Sequence, residues 1–514
     1  MKPPTTHYRS WKRKGLTLAI GAALVATVSL PAVAASTTVT SATTAPISLT
    51  GTDTLQVTNT GSISVTSTTL NLSIGINVSG DTGVSITNNG SIAVGTGTGG
   101  VTAYGVYVNG DFNGSFTNNG TLQVVGAPSN TAHVSAYGFY TSGNMNGSIA
   151  NNGTISVKAT ASYNATAFGL NILSDTNGSI TNTGTLNVTA TGRSTGYSLA
   201  RAYGIMADEV NSPALYGTIS NTGTINATAN SAGTRGTASA DGMYVYYNVG
   251  ATGVFSNSGT INATATGLNA DAAGMYTYYS NFGSMLNEQG GTINVTAQAG
   301  QYAGATGMFA WTSVGSSGSS YPSANGTITN NGTISVSANA VGAVTGTGYA
   351  QAVAYGLSAE YYIYGTVTNN GTLSVSAQAS GGTRGYAAAY GMATPYIYGA
   401  VSNTGSLDVS AIDKAYEATA YGIYASSALQ AGDGSTYGVL SNSGTIKVSA
   451  TGGNYASANG IYVDSGYGAL INSGTLAVNA NALNTSGTGN ADATGFYFYT
   501  GFYGSSMTNS GSCI

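Results

Sequence analysis

The closest groupings of ionisable side chains are Asp208 beside Glu209, and Asp413 with Lys414 and Glu417. A pair of acids, or an acid with a basic partner, is what cleavage of a polysaccharide needs, because one group must give a proton while another carries or shields charge. Both groupings fall in stretches of variable length between repeats and read as solvated loops; the other carboxylates are dispersed. His133 is the one histidine beyond the first 35 residues, a poor basis for a Ser-His-Asp arrangement, and it reads as a surface or packing residue. Gly432, Asp433 and Gly434 have the residue types of a calcium loop but stand alone, without the repeating nonapeptide of a calcium-binding roll. Cys513 is the single cysteine, so one chain can build neither a disulfide nor a cysteine metal site. The expectation is a chain that is not an enzyme, with no cofactor and no metal.

Any side chain here is positioned by a repeat. The phrase ITNNGSIAV at residues 86–94 returns as FTNNGTLQV at 116–124 and IANNGTISV at 149–157. Aligned on its glycine, it occurs at fourteen places from Gly61 to Gly511, a mean spacing of (511 − 61)/13, about 35 residues. Two residues before the glycine stands an asparagine: Asn59, Asn88, Asn118, Asn151, Asn182, Asn221, Asn257, Asn330, Asn369, Asn403, Asn442, Asn472 and Asn509. The exception is LNEQGGTINV, where two residues are inserted after Asn287. A second phrase, AYG followed by apolar or aromatic residues, falls between the copies, as at Ala103, Ala136, Ala202 and Ala420. Most of the length variation lies between the motif glycine and the next AYG. A period of this size along the whole chain signifies a solenoid.

TISVSA at 333–338 alternates Ile334, Val336 and Ala338 with hydroxyl residues, the period of two of a strand with one buried face. No comparable helical periodicity occurs. The Asn-x-Gly corners supply residues that tolerate left-handed backbone angles, so each repeat reads as three short strands with two tight corners and one looser one. Burying some five aliphatic side chains is worth about 10 kcal/mol, and ordering about 30 residues costs several times that. Stacking on a neighbour must supply the rest. In a parallel stack each rung lies about 4.8 Å above its predecessor, so a recurring asparagine can form an amide ladder. Stacked like charges would repel, which accounts for charged residues making up only 5% of the chain.

Tyrosines recur at two positions. Tyr104, Tyr137, Tyr203, Tyr355, Tyr390 and Tyr421 share one, and Tyr107, Tyr140, Tyr244, Tyr276, Tyr424 and Tyr462 share another three residues later. In a straight strand that separation places the two columns on opposite faces. The largest break in the pattern, from Gly307 to Gly356, contains Trp311 and Tyr321, and EYYIY follows with Tyr361, Tyr362 and Tyr364. Loops on a rigid scaffold commonly carry function, so these five aromatics form the candidate interaction loop.

At the N-terminus, Lys2, Arg9, Lys12, Arg13 and Lys14 precede an apolar run from Leu16 to Leu30 and then AVAA at 32–35. This is the pattern of a secretory signal peptide, residues 1–35, with cleavage near Ala34 or Ala35. Its removal leaves seven basic residues against sixteen acidic, 7 − 16 = −9. An acidic chain gives nucleic acid no electrostatic footprint, and no nucleic-acid partner is expected.

The rungs of the kind NNGTISV at 151–157 and AYGI at 420–423 resemble those of bacterial autotransporter passenger regions, and the resemblance covers residues 36–514. It implies a right-handed parallel β-helix of about 13–14 rungs of roughly 30–40 residues, displayed on the outer surface of a Gram-negative cell through a C-terminal outer-membrane translocator barrel. That barrel is a departure: the chain carries none and stops within its fourteenth copy at NSGSCI, as a truncated reading frame would, or as a chain exported and displayed by another route would; without a barrel the exported chain would be periplasmic. The expected function is adhesion or cell–cell self-association, with a host or abiotic surface, glycans or like chains as partners. A passive stalk and a carbohydrate-active enzyme are the alternatives.

Overall fold

A computed structural model describes residues 34–66, 72–97, 101–127, 131–210, 217–315, 326–342, 349–381, 384–426, 438–466, 468–484, 489–502 and 506–514. The expected signal peptide and the Gly432–Gly434 segment lie outside the described residues. All described strands are stacked in parallel register into a β-solenoid. Among the described residues one sheet has 15 strands, a second has 27, and a third has 4. The first sheet holds one strand more than the fourteen motif copies because Ser36–Val39, which precedes the first motif, already pairs with Thr54–Val57; the coil makes about 12 turns.

One rung shows how the repeat folds. Ser115–Asn118 belongs to the 15-stranded sheet, and after the Asn-Asn-Gly corner Thr121–Gly126 and His133–Thr141 belong to the larger one. Equivalent residues stack: Asn118 between Asn88 and Asn151, and Tyr137 over Tyr104. In two rungs the second and third strands merge into one, Thr260–Thr277 and Thr292–Ala310. Ile334, Val336 and Ala338 are buried as their alternation requires. Phe116 and Phe139 meet in the core at 5.3 Å, filling the interior near the first rungs.

The asparagines donate along the axis. Each side-chain amide from Asn88 through Asn118, Asn151, Asn182, Asn221, Asn257, Asn287, Asn330, Asn369, Asn403, Asn442 and Asn472 donates to the next, ending on Asn509, at 2.6–2.9 Å. Most also donate to the backbone carbonyl three residues beyond the next asparagine, as Asn88 does to Thr121 at 3.1 Å. Buried amides therefore keep their partners, the condition for placing polar groups in a core. Two memberships differ from the sequence alignment. Asn287 joins the ladder, because its two extra residues bulge outward with Gly290 at φ 86°. Asn59 does not, because its corner is also two residues longer and Val57 takes the place opposite Asn88.

The corner glycines are required for a different reason from the one expected. Among the described residues positive φ occurs at seven glycines, and of these only Gly290 lies in one of the motif corners. At Gly371 a Cβ would instead collide with the carbonyl oxygen of Gly332 in the rung before. The corners stack backbone on backbone, which leaves no volume for a side chain.

Candidate functional site

The two tyrosine columns lie on the same, outer side, which overturns the expectation of opposite faces. The reason is the glycine of AYG. In Thr102–Asn109 both Gly105 and Val106 are buried, so alternation skips a beat and Tyr104 and Tyr107 are both half-exposed. A Cβ at Gly105 would strike Leu122 and the Gly138 carbonyl, so glycine lets the strand bend inward at this corner. The tyrosines before and after it then lean together, with Tyr104 and Tyr107 edge to face at 4.9 Å. Along the axis the rings stack: Tyr104 on Tyr137 at 4.7 Å, Tyr137 on Phe168 at 4.9 Å, Phe168 on Tyr203 at 5.0 Å. The pattern resumes with Tyr355 on Tyr390 at 4.8 Å and Tyr390 on Tyr421 at 5.1 Å.

Among the candidate aromatics, Trp311 belongs to a regular column. Its backbone N–H donates to Thr277 at 2.9 Å, and its ring stacks on Tyr278 at 5.9 Å, which stacks in turn on Tyr246 at 5.3 Å. Tyr362 lies one rung on, paired with Ser313, and stacks on Tyr396 at 5.2 Å. Tyr364 stacks on Tyr398 at 4.9 Å. Tyr361 is 44% exposed and tilts against Tyr362. Tyr321 lies outside the described residues. Two aromatic runs on successive rungs result, Tyr246–Tyr278–Trp311 and Tyr361, Tyr362 and Tyr364 with Tyr396 and Tyr398, with hydroxyl rims that can accept and donate hydrogen bonds.

The carboxylates are less dispersed than the sequence suggests. At the Tyr104 position, Tyr203 is followed by Asp241, Ala273, Thr306 and then Tyr355. Asp271 lies two residues before Ala273, paired with Ser239 and Gly304. The two acids, 30 residues apart in sequence, are therefore diagonal neighbours on adjacent rungs. Aligning Gly242 with Gly274 exposes this, since Asp241 is one residue before its glycine and Asp271 three before. Burial, then the charge of Asp271, pushes Asp241 up to about 8, against a hydrogen bond from Ser239 and the pull of Arg201. Burial alone pushes Asp271 up to about 7. Beside them the Tyr276 hydroxyl is buried with no hydrogen-bond partner.

The acids noted from sequence have other roles. Asp413 is fully buried, correcting its reading as solvated: it accepts the N–H groups of Ala415 at 2.9 Å and Glu417 at 3.2 Å and so closes the turn. Glu209 faces Asp175 on the neighbouring rung and is raised by burial, then by that charge. His133 packs edge-on against Tyr163 at 5.4 Å.

Because Asp241 and Asp271 are raised in the folded state, the folded chain binds more protons than the unfolded one between the ordinary value of 3.8 and about 8. Their contribution to stability is greatest at acid pH and is lost as pH rises through that window. The melting temperature should fall between about pH 5 and about pH 8.5, and Asp241→Asn should flatten the fall; identical slopes in variant and parent would refute the assignment.

No family model, no curated protein and no solved structure matched this chain when it was compared with all three.

Proposed function

We propose that the chain is the passenger region of an autotransporter, exported and displayed at the outer surface of a Gram-negative cell, where it acts in adhesion or cell–cell self-association without catalysis. The observation that carries this reading is the presence of these aromatic runs on the outside of a regular, nearly uncharged coil. Stacked rings present a ready-made apolar surface whose ordering entropy is already spent. Tyrosine and tryptophan are also among the residue types enriched at interface anchors. The non-catalytic reading is supported by the roles of the acids that chain order groups most closely: Asp413 accepts the backbone N–H groups of Ala415 and Glu417 and closes a turn.

The test places the full chain upstream of an outer-membrane translocator barrel in Gram-negative cells. Protease added outside should remove it, and cells carrying it should clump or retain glycan-coated beads. Joint replacement of Tyr361, Tyr362 and Tyr364 by serine should reduce clumping or retention about tenfold, the loss expected on removing interface anchors, with display unchanged. Display without clumping or retention would make the chain a passive stalk, and release of sugar from a polysaccharide would make it an enzyme.

A further inference from the structure

Six successive rungs share one surface pattern. Residues 185–191, 224–230, 260–266, 292–298, 333–339 and 372–378 pair in parallel without a shift of register. Their inward residues, such as Ile261, Ala263 and Ala265, are buried, and their outward residues form columns on the surface. The first column is threonine throughout, from Thr185 to Thr372, and continues back to Thr154 and Thr121. The second runs from Asn187 to Asn294 and on through Ser335 to Ser374. In it Asn226 donates to Asn187, Asn262 to Asn226 and Asn294 to Asn262, at 2.8, 2.8 and 2.9 Å. The third is Thr189, Thr228, Thr264 and Thr296, then Ser337 and Ser376. Thr333, Ser335, Thr372 and Ser374 are exposed, and the rest of the three columns is half-buried between its own copies. None of the six stretches contains a charged or aromatic residue. Charge appears only at the borders, with Lys158 on the rung before and Asp408 and Lys447 on the rungs beyond. Rungs lie about 4.8 Å apart and alternate residues about 6.6 Å apart, so three columns over six rungs make a grid of about 24 by 13 Å.

We propose that this grid binds ice. Strand propensity favours threonine, but it favours valine as well, and Val125 stands in the third column outside the six rungs. Propensity therefore leaves the recurrence of hydroxyl and amide groups in two directions unexplained, whereas a partner that itself repeats in two directions requires it. Charge points to the occupant. An ice surface carries no net charge, and a fixed ion would gather water around itself instead of leaving it on the lattice, so a charge-free face is its complement. A hydroxyl donates one hydrogen bond and accepts two, which lets it take the place of a water molecule at the crystal surface. Threonine is stiff at χ1, and the methyl beside its hydroxyl competes for none of these bonds. Each hydroxyl gains little alone, since it exchanges water for water; a grid holds many such positions at once, already ordered by folding. A crystalline polysaccharide would be gripped through aromatic side chains, and protein interfaces are enriched in them; these stretches carry none. The inference stands apart from display and from adhesion through the aromatic runs, because it concerns a different face and holds for the chain free in solution.

The test labels the full chain with a fluorescent maleimide at the exposed Cys513 and grows a single ice crystal in its solution. Uptake of the dye into the ice, with the crystal faceted and its freezing point held below its melting point, supports the proposal. Thr264→Lys, at the centre of the grid, should abolish uptake. The fold accepts lysine in that column, as Lys158 shows, and an unchanged thermal unfolding midpoint checks this for the variant. Ser337→Lys, in the same column, should act alike and guards against a local failure at Thr264. The joint replacement of Tyr361, Tyr362 and Tyr364 by serine should leave uptake unchanged, so this inference and the adhesion reading can fail separately. Exclusion of the parent chain from ice, or undiminished uptake of both lysine variants, would overturn the proposal. So would retention on microcrystalline cellulose, or a dimer in sedimentation, that the lysine substitutions abolish without any uptake into ice; the grid would then hold a sugar lattice or a second copy.

Discussion

Gly371→Ala is expected to destabilise the coil by about 3 kcal/mol or more, although Gly371 has an ordinary backbone angle. A methyl there meets the Gly332 carbonyl, which is backbone and cannot rotate away. The rungs must separate, and that loosens three hydrogen bonds: Asn370 and Gly371 to the Asn330 carbonyl at 2.8 and 3.0 Å, and Thr372 to the Gly332 carbonyl at 2.9 Å. At about 1 kcal/mol each, the cost is about 3 kcal/mol before any loss of packing. Gly51→Ala is the informative contrast. Gly51 has φ 57° with nothing within 4 Å of its Cβ position, so alanine there meets only the left-handed penalty of about 1–2 kcal/mol. Urea unfolding followed by circular dichroism would rank the two, and a smaller effect at Gly371 than at Gly51 would sink the close-approach account.

Asn330→Ala should cost about 3 kcal/mol, and Asn331→Ala beside it less than about 0.5 kcal/mol. Asn330 is buried, donates to Asn369 at 2.8 Å and to the Thr372 carbonyl at 3.2 Å, and accepts from Asn287 at 2.8 Å. Truncation leaves the Asn369 oxygen without its ladder donor and Asn287 without its nearest acceptor, in a place water does not reach. Asn331 accepts from Asn370 at 2.8 Å on the exposed side, where water replaces the lost bond. In a stacked array each rung is supported by its neighbours, so amide exchange in the Asn330 variant should quicken first in the adjoining rungs, Thr292–Ala310 and Thr372–Ser380. Equal effects at the two positions would mean that the inner ladder contributes no more than the outer one.

These contrasts mark the limit of what a linear pattern conveys. The repeat period, the strand alternation of TISVSA and the axial recurrence of asparagine follow from the order of residues, because each depends on short-range periodicity and on identical rungs being superposed. That much specified a parallel β-solenoid with an amide ladder. The faces of the tyrosines did not follow, since a period of two holds only for a straight strand, and the bend at Gly105 resets it. Nor did the ladder membership of Asn287 and Asn59, because an inserted pair of residues can bulge at a corner or shift a register, and only the stacked neighbour decides which.

The candidate site divides in the same way. Trp311, Tyr361, Tyr362 and Tyr364 drew notice in sequence as a break in pattern, yet Trp311 occupies a regular stack, because the preceding rung offers it an aromatic ring, Tyr278, to lie on. By itself the sequence determined which residue types recur and hence that the chain coils upon itself, since burial and hydrogen bonding reward identical rungs placed one above another. The tertiary structure alone decided that Asp241 and Asp271 are diagonal neighbours on adjacent rungs. Proximity across rungs depends on how many residues each return path contains, and that length places acids 30 residues apart side by side.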